Sequence, residues 1–470
     1  MSTAPSVILH LGLGSFHRAH QAVYLQRLMD AGHAGWILKG GNLRDDMADT
    51  IAALQAQDGA YTLETVSPAG ERRYERIHAI REVIPYDPWL TGLVGAGADP
   101  ATRIISFTVT EAGYYLDEHD QLDPRYPDLA SDLSGATCTT IYGALAAILE
   151  ARRLHDAGPV TLLNCDNLRH NGSRFRAGFI DFLSRRGDDT LRAWVQAHTT
   201  CPSSMVDRIT PRPLPDVAER VRAATGLTDG AALMGESFIQ WVIEDNFANG
   251  RPAWELVGAE LVSSVLPHEE AKIRILNASH SGFAWAGTML GSQFIHEDLA
   301  HPEIRRLVHD YVTLDVIPSL VTRQNPYPVD LAAYRDVVFE RFGNPYLRDT
   351  NQRVAADGFA KIPGFLVPTF RDRLEQGAPI ASTAVLVALF FEFLGRWHRG
   401  ELPFDYQDQS MDPAKAHAFF AADDPLGAFV RDPVLWGPLA GDPRLEAALR
   451  QAHGRVRAFV GTFVGSNVSV

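Results

Sequence analysis

The chain has 470 residues, too many for one ordinary core, and its 46% hydrophobic and 21% charged residues are the balance of a soluble globular protein with two domains. With 57 acidic against 43 basic side chains the formal net charge is −14, which argues against a nucleic-acid partner, since a phosphate backbone demands a basic stripe. The three cysteines, Cys138, Cys165 and Cys201, are too scattered for a disulfide framework or a zinc ligand set and fit a reducing cytoplasm.

The start of the chain lacks a basic segment, and its apolar run Val7-Ile-Leu-His-Leu11 leads into glycines rather than a cleavage site, so a strand is expected there instead of a secretion signal. Helical periodicity follows over residues 21–28. Further strands are predicted over 36–39, 103–110 and 160–163, each bounded by Gly, Pro, Asn or Asp and followed by helix-like spacing. That alternation predicts a parallel α/β sheet. Beyond about residue 260 strand-like runs become rare, and helices are expected over 269–287, 301–311, 363–375, 381–397 and 444–459. The apolar stretch 383–394 is short for a membrane span and includes Glu392, so it reads as a buried helix and no membrane partner is expected. The organisation predicted is an α/β domain over 1–262 and a mostly α-helical domain over 263–470.

The segment Gly12-Leu-Gly14-Ser-Phe-His17 is a strand-to-helix glycine turn, the kind that lets backbone approach a dinucleotide pyrophosphate. His17 stands where the fingerprint's third glycine would fall, so the motif alone also describes an ordinary tight turn. An acidic residue after the second strand should hold the adenosine ribose. Asp45 and Asp46 stand there, although both can equally cap a helix near Met47, and Lys39 and Arg44 can instead receive a 2′-phosphate.

A second cluster is Lys272-Ile-Arg-Ile-Leu-Asn277-Ala-Ser-His280. On an α-helix His280 lies about 80° and Asn277 about 140° around the axis from Lys272, so all three can border one cleft. Oxidising a secondary alcohol without a metal needs a positioned base, and a lysine whose pKa is lowered from ~10.4 by desolvation or nearby positive charge can serve. Amides such as Asn277 can donate to the reacting oxygen, and His280 can orient a hydroxyl. Spacing by itself equally describes a solvated lysine and a core histidine. Cys165-Asp-Asn167, at the end of the strand over 160–163, and Val206-Asp207-Arg208-Ile-Thr-Pro211 are further candidates, for which a closing turn and a buried ion pair are the alternatives.

At these residues the chain resembles the polyol-specific long-chain dehydrogenase family, the mannitol dehydrogenase family. The resemblance runs through Gly12-Leu-Gly-Ser-Phe-His-Arg-Ala-His20, Phe107-Thr-Val-Thr-Glu-Ala-Gly-Tyr114, Asn164-Cys-Asp-Asn167, Met205-Val-Asp-Arg-Ile-Thr-Pro211 and the run from Lys272 to His280. It covers nearly the whole chain, and His17 is what the family carries at the third glycine. It implies a Rossmann-type, doubly wound N-terminal domain, a helical C-terminal domain, and NAD-dependent, zinc-independent oxidation of a polyol to a ketose.

Residue by residue, the resemblance makes Lys272 the general base and Asn167 and Asn277 the amide donors on the reacting oxygen. It puts Asp207, His280, Arg353 and Lys361 on the polyol hydroxyls, and Gly12, Gly14, Phe16, Asp45 and Thr110 on NAD. Ala356 falls where some members carry a histidine, which touches the far end of the substrate pocket. Glu269, one turn before Lys272, is either a proton relay or a solvated carboxylate of a helix's first turn. A redox-inactive NAD-binding scaffold is the expectation from a different class, and the presence of Lys272, both asparagines and His280 argues against it.

Overall fold

The first strand is buried along almost its whole length, as a strand covered by helices on both faces must be. The structure, a computed structural model, describes residues 4–117, 121–211, 215–321 and 326–464. It divides into two units, Met1–Ser67 with Glu71–Leu266, and Pro68–Gly70 with Pro267–Val470.

In the first unit the main sheet has six strands, β1 (Ser6–Leu11), β2 (Trp36–Gly41), β3 (Ile80–Val83), β4 (Thr102–Phe107), β5 (Val160–Asn164) and β6 (Thr199–Thr200). They lie in the order β3-β2-β1-β4-β5-β6 and all pair in parallel. This is the doubly wound Rossmann-type order, whose direction of winding reverses between β1 and β4. Alternate side chains feed two layers of core. Ile8 and Ile104 join one apolar cluster, while Leu9, Leu11, Ile105 and Phe107 join the other.

The predicted strand over 103–110 stops at Phe107, because the chain leaves extended geometry and Thr110 takes a φ of 64°. The helix expected over 21–28 forms as Gln21–Asp30, and a separate short helix, Ser15–Ala19, precedes it, with a break at His20. At the break the His20 ring donates from Nε2 to the Gln240 carbonyl at 2.9 Å.

Two three-stranded sheets in this unit had no counterpart in the sequence reading. One joins Tyr61–Val66, Arg72–Ile77 and Leu233–Glu236, and the other Ser204–Asp207, Gln240–Glu244 and Glu260–Val262. The charged run Arg72-Arg-Tyr-Glu-Arg-Ile77 conceals a strand because its polarity answers a buried charge. Glu64 on the neighbouring strand is fully buried and is met by Arg72 and, at 2.9 Å, by Arg220.

The second unit is helical, as expected. Helix Ala381–His398 is buried throughout its middle, over residues 383–391 and 393–395, the behaviour of a helix that is apolar all round there, and it packs on Ala278–Leu290 and Pro443–Val464. Its one acid in the apolar run, Glu392, meets His453 of the last helix at 3.1 Å. No helix among the described residues is long and apolar enough to cross a membrane.

Three helices here are interrupted by π-helical stretches, Lys272–Asn277, Tyr311–Val316 and Ile362–Leu366, and the first packs on the other two. After each, an amide reaches back five residues: Ala278 to Ile273, Ile317 to Val312 and Val367 to Ile362. Pro318 and Pro368 lie just beyond the second and third stretches, where a missing N–H disturbs the ordinary ladder. The first stretch has no such proline signal.

Asp298 is fully buried, packed where a Cβ on Gly287 would collide with it. Asn351 donates to it from Nδ2 at 3.2 Å. Burial lifts its carboxyl to about 8, against ~3.9 in an unfolded chain. A raised folded-state value means its contribution to stability is complete below the unfolded value and is lost as pH rises through about 8. Asp298→Asn should therefore gain melting temperature over the native protein as pH rises from ~5 to ~9, by several degrees at the alkaline end. Parallel melting curves across that range would contradict this assignment.

Candidate active site

At the carboxyl ends of β1 and β4, the switch point of the sheet, lies a cavity of about 600 Å³ lined by Gly12, Gly14, Phe16 and Thr110 among others. Ligands of open α/β sheets bind at such a crevice. Gly12 has a φ of 110°, which strains any residue with a Cβ. Gly14 is different. Its φ is an ordinary −66°, and an added Cβ would meet no protein atom within 4 Å. At this cavity-lining position the glycine leaves open space in which no protein atom opposes a ligand. The turn is held from the next strand, where Asn42 accepts from the Leu13 amide at 2.8 Å.

His17 lines the same cavity and stacks on His10 of β1, ring centroids 3.4 Å apart. His10 in turn meets Ser106 of β4 at 2.8 Å. Burial drives the His10 imidazole down to about 3 and that of His17 well below its usual value, so both rings are neutral at pH 7. A stacked pair of uncharged rings thus makes the helix-to-strand contact that a third glycine makes elsewhere.

Beyond β2 two exposed acids stand in succession, of which Asp46 lines the cavity, whereas Asp45, the residue expected there, lies outside the lining. Arg44 is engaged, donating to the Tyr115 hydroxyl at 2.7 Å and to Asp128 at 2.9 Å.

Asp166, between Cys165 and Asn167, organises the opposite wall. One of its carboxylate oxygens accepts from the Val109 and Thr110 amides at 2.8 and 2.7 Å, and the other from the Tyr114 hydroxyl at 3.1 Å. These bonds hold Thr110 at its positive φ, a conformation a β-branched residue adopts only under constraint. Burial raises the Asp166 carboxyl to about 6, and the bonds from Thr110, Tyr114 and Val109 oppose that rise. Asn167, the next residue, is exposed at the end of β5. Asp207 is buried at the end of its strand. The neighbouring Arg208 donates to the carbonyls of Glu236 and Ala19.

In the second unit, Lys272 is 6% exposed and Glu269 only 3%, which corrects the picture of a solvated lysine and a solvated first-turn carboxylate. The π-helical register changes the geometry as well. With hydrogen bonds running i to i+5, residues five apart stack along the axis, so Lys272 and Asn277 share a face instead of lying ~140° apart as on an α-helix. The stretch is clamped by Arg274, which is buried between Glu270 at 2.6 Å and Asp372 at 2.5 Å. The Tyr311 hydroxyl donates to the Arg274 carbonyl at 2.9 Å.

His280 lies one helical turn further on, its ring stacked on Phe342 at 4.4 Å and its Nε2 3.0 Å from Asp349. Arg353 is largely exposed and meets the same carboxylate at 2.6 Å. Lys361 donates to the Val354 carbonyl at 2.6 Å, and burial lowers its ammonium to about 8. Among the described residues no three His, Cys, Asp or Glu side chains converge as a metal ligand set.

Residues 6–256 match the family model of the mannitol dehydrogenase Rossmann domain, and residues 264–456 that of the mannitol dehydrogenase C-terminal domain. The chain belongs to the mannitol dehydrogenase family. Within it, the chain is 59% identical to the D-arabinitol 4-dehydrogenase of Ralstonia nicotianae over 98% of both chains. It is 52% identical to that of Klebsiella pneumoniae over 94% of this chain and 96% of the relative. The solved ternary complex of Pseudomonas fluorescens mannitol 2-dehydrogenase with NAD and D-mannitol superposes with a TM-score of 0.84 at 30% identity, covering 99% of this chain and 94% of that one.

In this mannitol dehydrogenase family member Asp349, Phe342 and the role of Asp166 beneath the Thr110 wall emerge only in the folded structure. Asp166 carried a signal, its place at the end of a strand in a doubly wound sheet. Asp349 carried none, because its partners lie on separate helices. Asp166→Ala should speed amide exchange at Val109 and Thr110 by roughly 10- to 100-fold, since each loses an acceptor worth about 1–3 kcal/mol. Unaltered protection at both amides would show that the wall is held by something else.

Proposed function

We propose that this chain oxidises D-arabinitol at C4 to D-xylulose with NAD, through a lysine base and without a metal. Its near full-length identity to two D-arabinitol 4-dehydrogenases, at 59% and 52%, carries the reading. It is an NAD-dependent polyol dehydrogenase, with a Rossmann-type domain whose switch-point cavity suits a dinucleotide. Gly12, Gly14, Phe16 and Thr110 would hold NAD there, and Asp46, beside the Asp45 named from sequence, supplies an acid for the adenosine ribose. Arg44 lines the cavity as well, paired there with Asp128, and the acid beside it favours NAD over a 2′-phosphorylated cofactor. When bound, NAD accepts the hydride lost by the alcohol carbon.

In this reading Lys272 takes the hydroxyl proton, its buried position keeping bulk water from the amine. Asn277, on the same face of the π-helical stretch, and Asn167 donate to the oxygen as it becomes a carbonyl, where developing charge makes such donors most effective. His280, Asp207, Arg353 and Lys361 bind the remaining hydroxyls. The small Ala356 limits what the far end of the pocket can contact. A cytoplasmic location is part of the proposal, supported by three free cysteines that suit a reducing compartment.

The test is a steady-state panel of D-arabinitol, D-mannitol, D-sorbitol, xylitol and fructuronate with the appropriate redox form of NAD or NADP. D-arabinitol is expected to give the highest kcat/KM. A higher value for D-mannitol would replace the substrate and leave the chemistry intact, and one for fructuronate would make the chain a reductase of a keto acid. Lys272→Ala should cut kcat by ~10³-fold or more, in the range of a lost general base, while NAD affinity stays within about twofold. A near-native rate would remove the base assignment. Buried Glu269 is proposed to relay the proton onward from Lys272. Glu269→Gln should then alter the pH–rate profile, and an unchanged profile would reduce it to a structural carboxylate.

A further inference from the structure

We propose that Asp349 is a positioning residue of the polyol site, setting the tautomer of His280 and the spacing between His280 and Arg353. This rests on the reading that His280 and Arg353 meet the polyol hydroxyls. Asp349 is itself shielded, with a side-chain exposure of 10%. One of its oxygens accepts from Arg353 Nε and Nη2 at 2.8 and 2.6 Å. The other lies 3.0 Å from His280 Nε2, a close approach that falls short of an aligned hydrogen bond. A single carboxylate therefore fixes two side chains that start on different helices.

The backbone around Asp349 is pinned on both sides. Its carbonyl accepts from the Ile295 amide at 3.0 Å, and the Asn351 amide donates to Gln293 at 2.9 Å. The intervening Thr350 pairs with Phe294 as a β-bridge, and the Asn351 side chain is anchored on Asp298. On the other side, Phe342 holds the plane of the His280 ring by stacking. The carboxylate and the imidazole cannot drift apart without breaking one of these supports.

The charged groups facing this pair are Arg353 and Lys361 in addition to Asp349 and His280. Burial works to lift the Asp349 carboxyl, but His280 and Arg353 outweigh it and hold it at about 2. Burial lowers His280, and the cations Arg353 and Lys361 add to that effect against the opposing carboxylate. At neutral pH an anion thus faces a neutral imidazole. The proton of that imidazole is drawn to Nε2, and Nδ1 is left as an acceptor for a substrate hydroxyl. The arrangement resembles the way a carboxylate selects a histidine tautomer in other sites. The polyol then meets an acceptor at His280 and a donor at Arg353, held at one spacing.

Asparagine at 349 retains the shape but has one oxygen in place of two. It can accept from Arg353 or from His280, and its amide group opposes whichever partner it faces. Asp349→Asn is expected to raise the KM for D-arabinitol at least tenfold while the Kd for NAD stays within twofold and protein melting is little changed. In the native enzyme, ¹⁵N NMR of His280 should show the proton on Nε2, a readout that needs no variant to fold. An unchanged KM in Asp349→Asn, or a native His280 protonated on Nδ1, overturns the proposal. His280→Ala separates the two layers of inference. If it raises KM while Asp349→Asn does not, the positioning role fails and the site stands. If His280→Ala leaves KM for every polyol of the panel unchanged, the site reading fails first and the positioning role with it.

Discussion

An amide that reaches back five residues, from Ala278 to Ile273, sets which side chains of the second unit face each other. The wider turn of this register brings Asn277 towards the face of Lys272, where an uninterrupted α-helix would set the two about 140° apart. Such a register is less favourable than the regular ladder and persists only where surrounding packing demands it. Here the demand comes from Arg274, clamped by Glu270 and Asp372, and from Tyr311 of a second π-helical stretch. The Arg274 cluster is therefore a condition for the geometry of the proposed base and its amide partner.

The first unit uses buried polarity in the same way. Asp166 is a carboxylate inside a protein wall, a costly arrangement unless its lone pairs are filled, and three donors fill them. In exchange the wall acquires a conformation at Thr110 that the local sequence would not choose. The stacked His10 and His17 rings play the matching part beneath the glycine turn. They are kept neutral by burial, so they do not add a fixed pair of cations to the cavity floor.

Both units thus hold their site residues through carboxylates placed one residue away from, or close against, a residue proposed to act. Asp166 precedes Asn167, and Asp349 faces His280. Asp298 lies a layer further back, behind Asn351 and the backbone that carries Asp349. The glycines that matter fall into the same scheme. Gly287 makes room for Asp298, Gly12 turns the chain, and Gly14 leaves space in the cavity where any side chain would project.

The sequence by itself determined the architecture and the inventory of chemistry. Alternating apolar runs in the first half required a parallel sheet with covered faces. The all-apolar segment around residues 383–394 required a buried helix, and the glycine turn after the first strand located the cofactor end of that sheet. Lys272, Asn277, His280 and Asn167 were legible as candidates because their residue types suit alcohol oxidation and because the motifs resemble one family. Only the tertiary structure decided how these residues are held. The π-helical register at Lys272 has no proline to announce it, and it arises from contacts with residues 37 and 98 positions distant. The small sheets stayed hidden because charged strands such as Arg72–Ile77 pair with buried acids that local periodicity cannot reveal. Asp349 was invisible for the same reason: Arg353 is four residues on, but His280, the partner that gives the carboxylate its role, is brought to it only by folding.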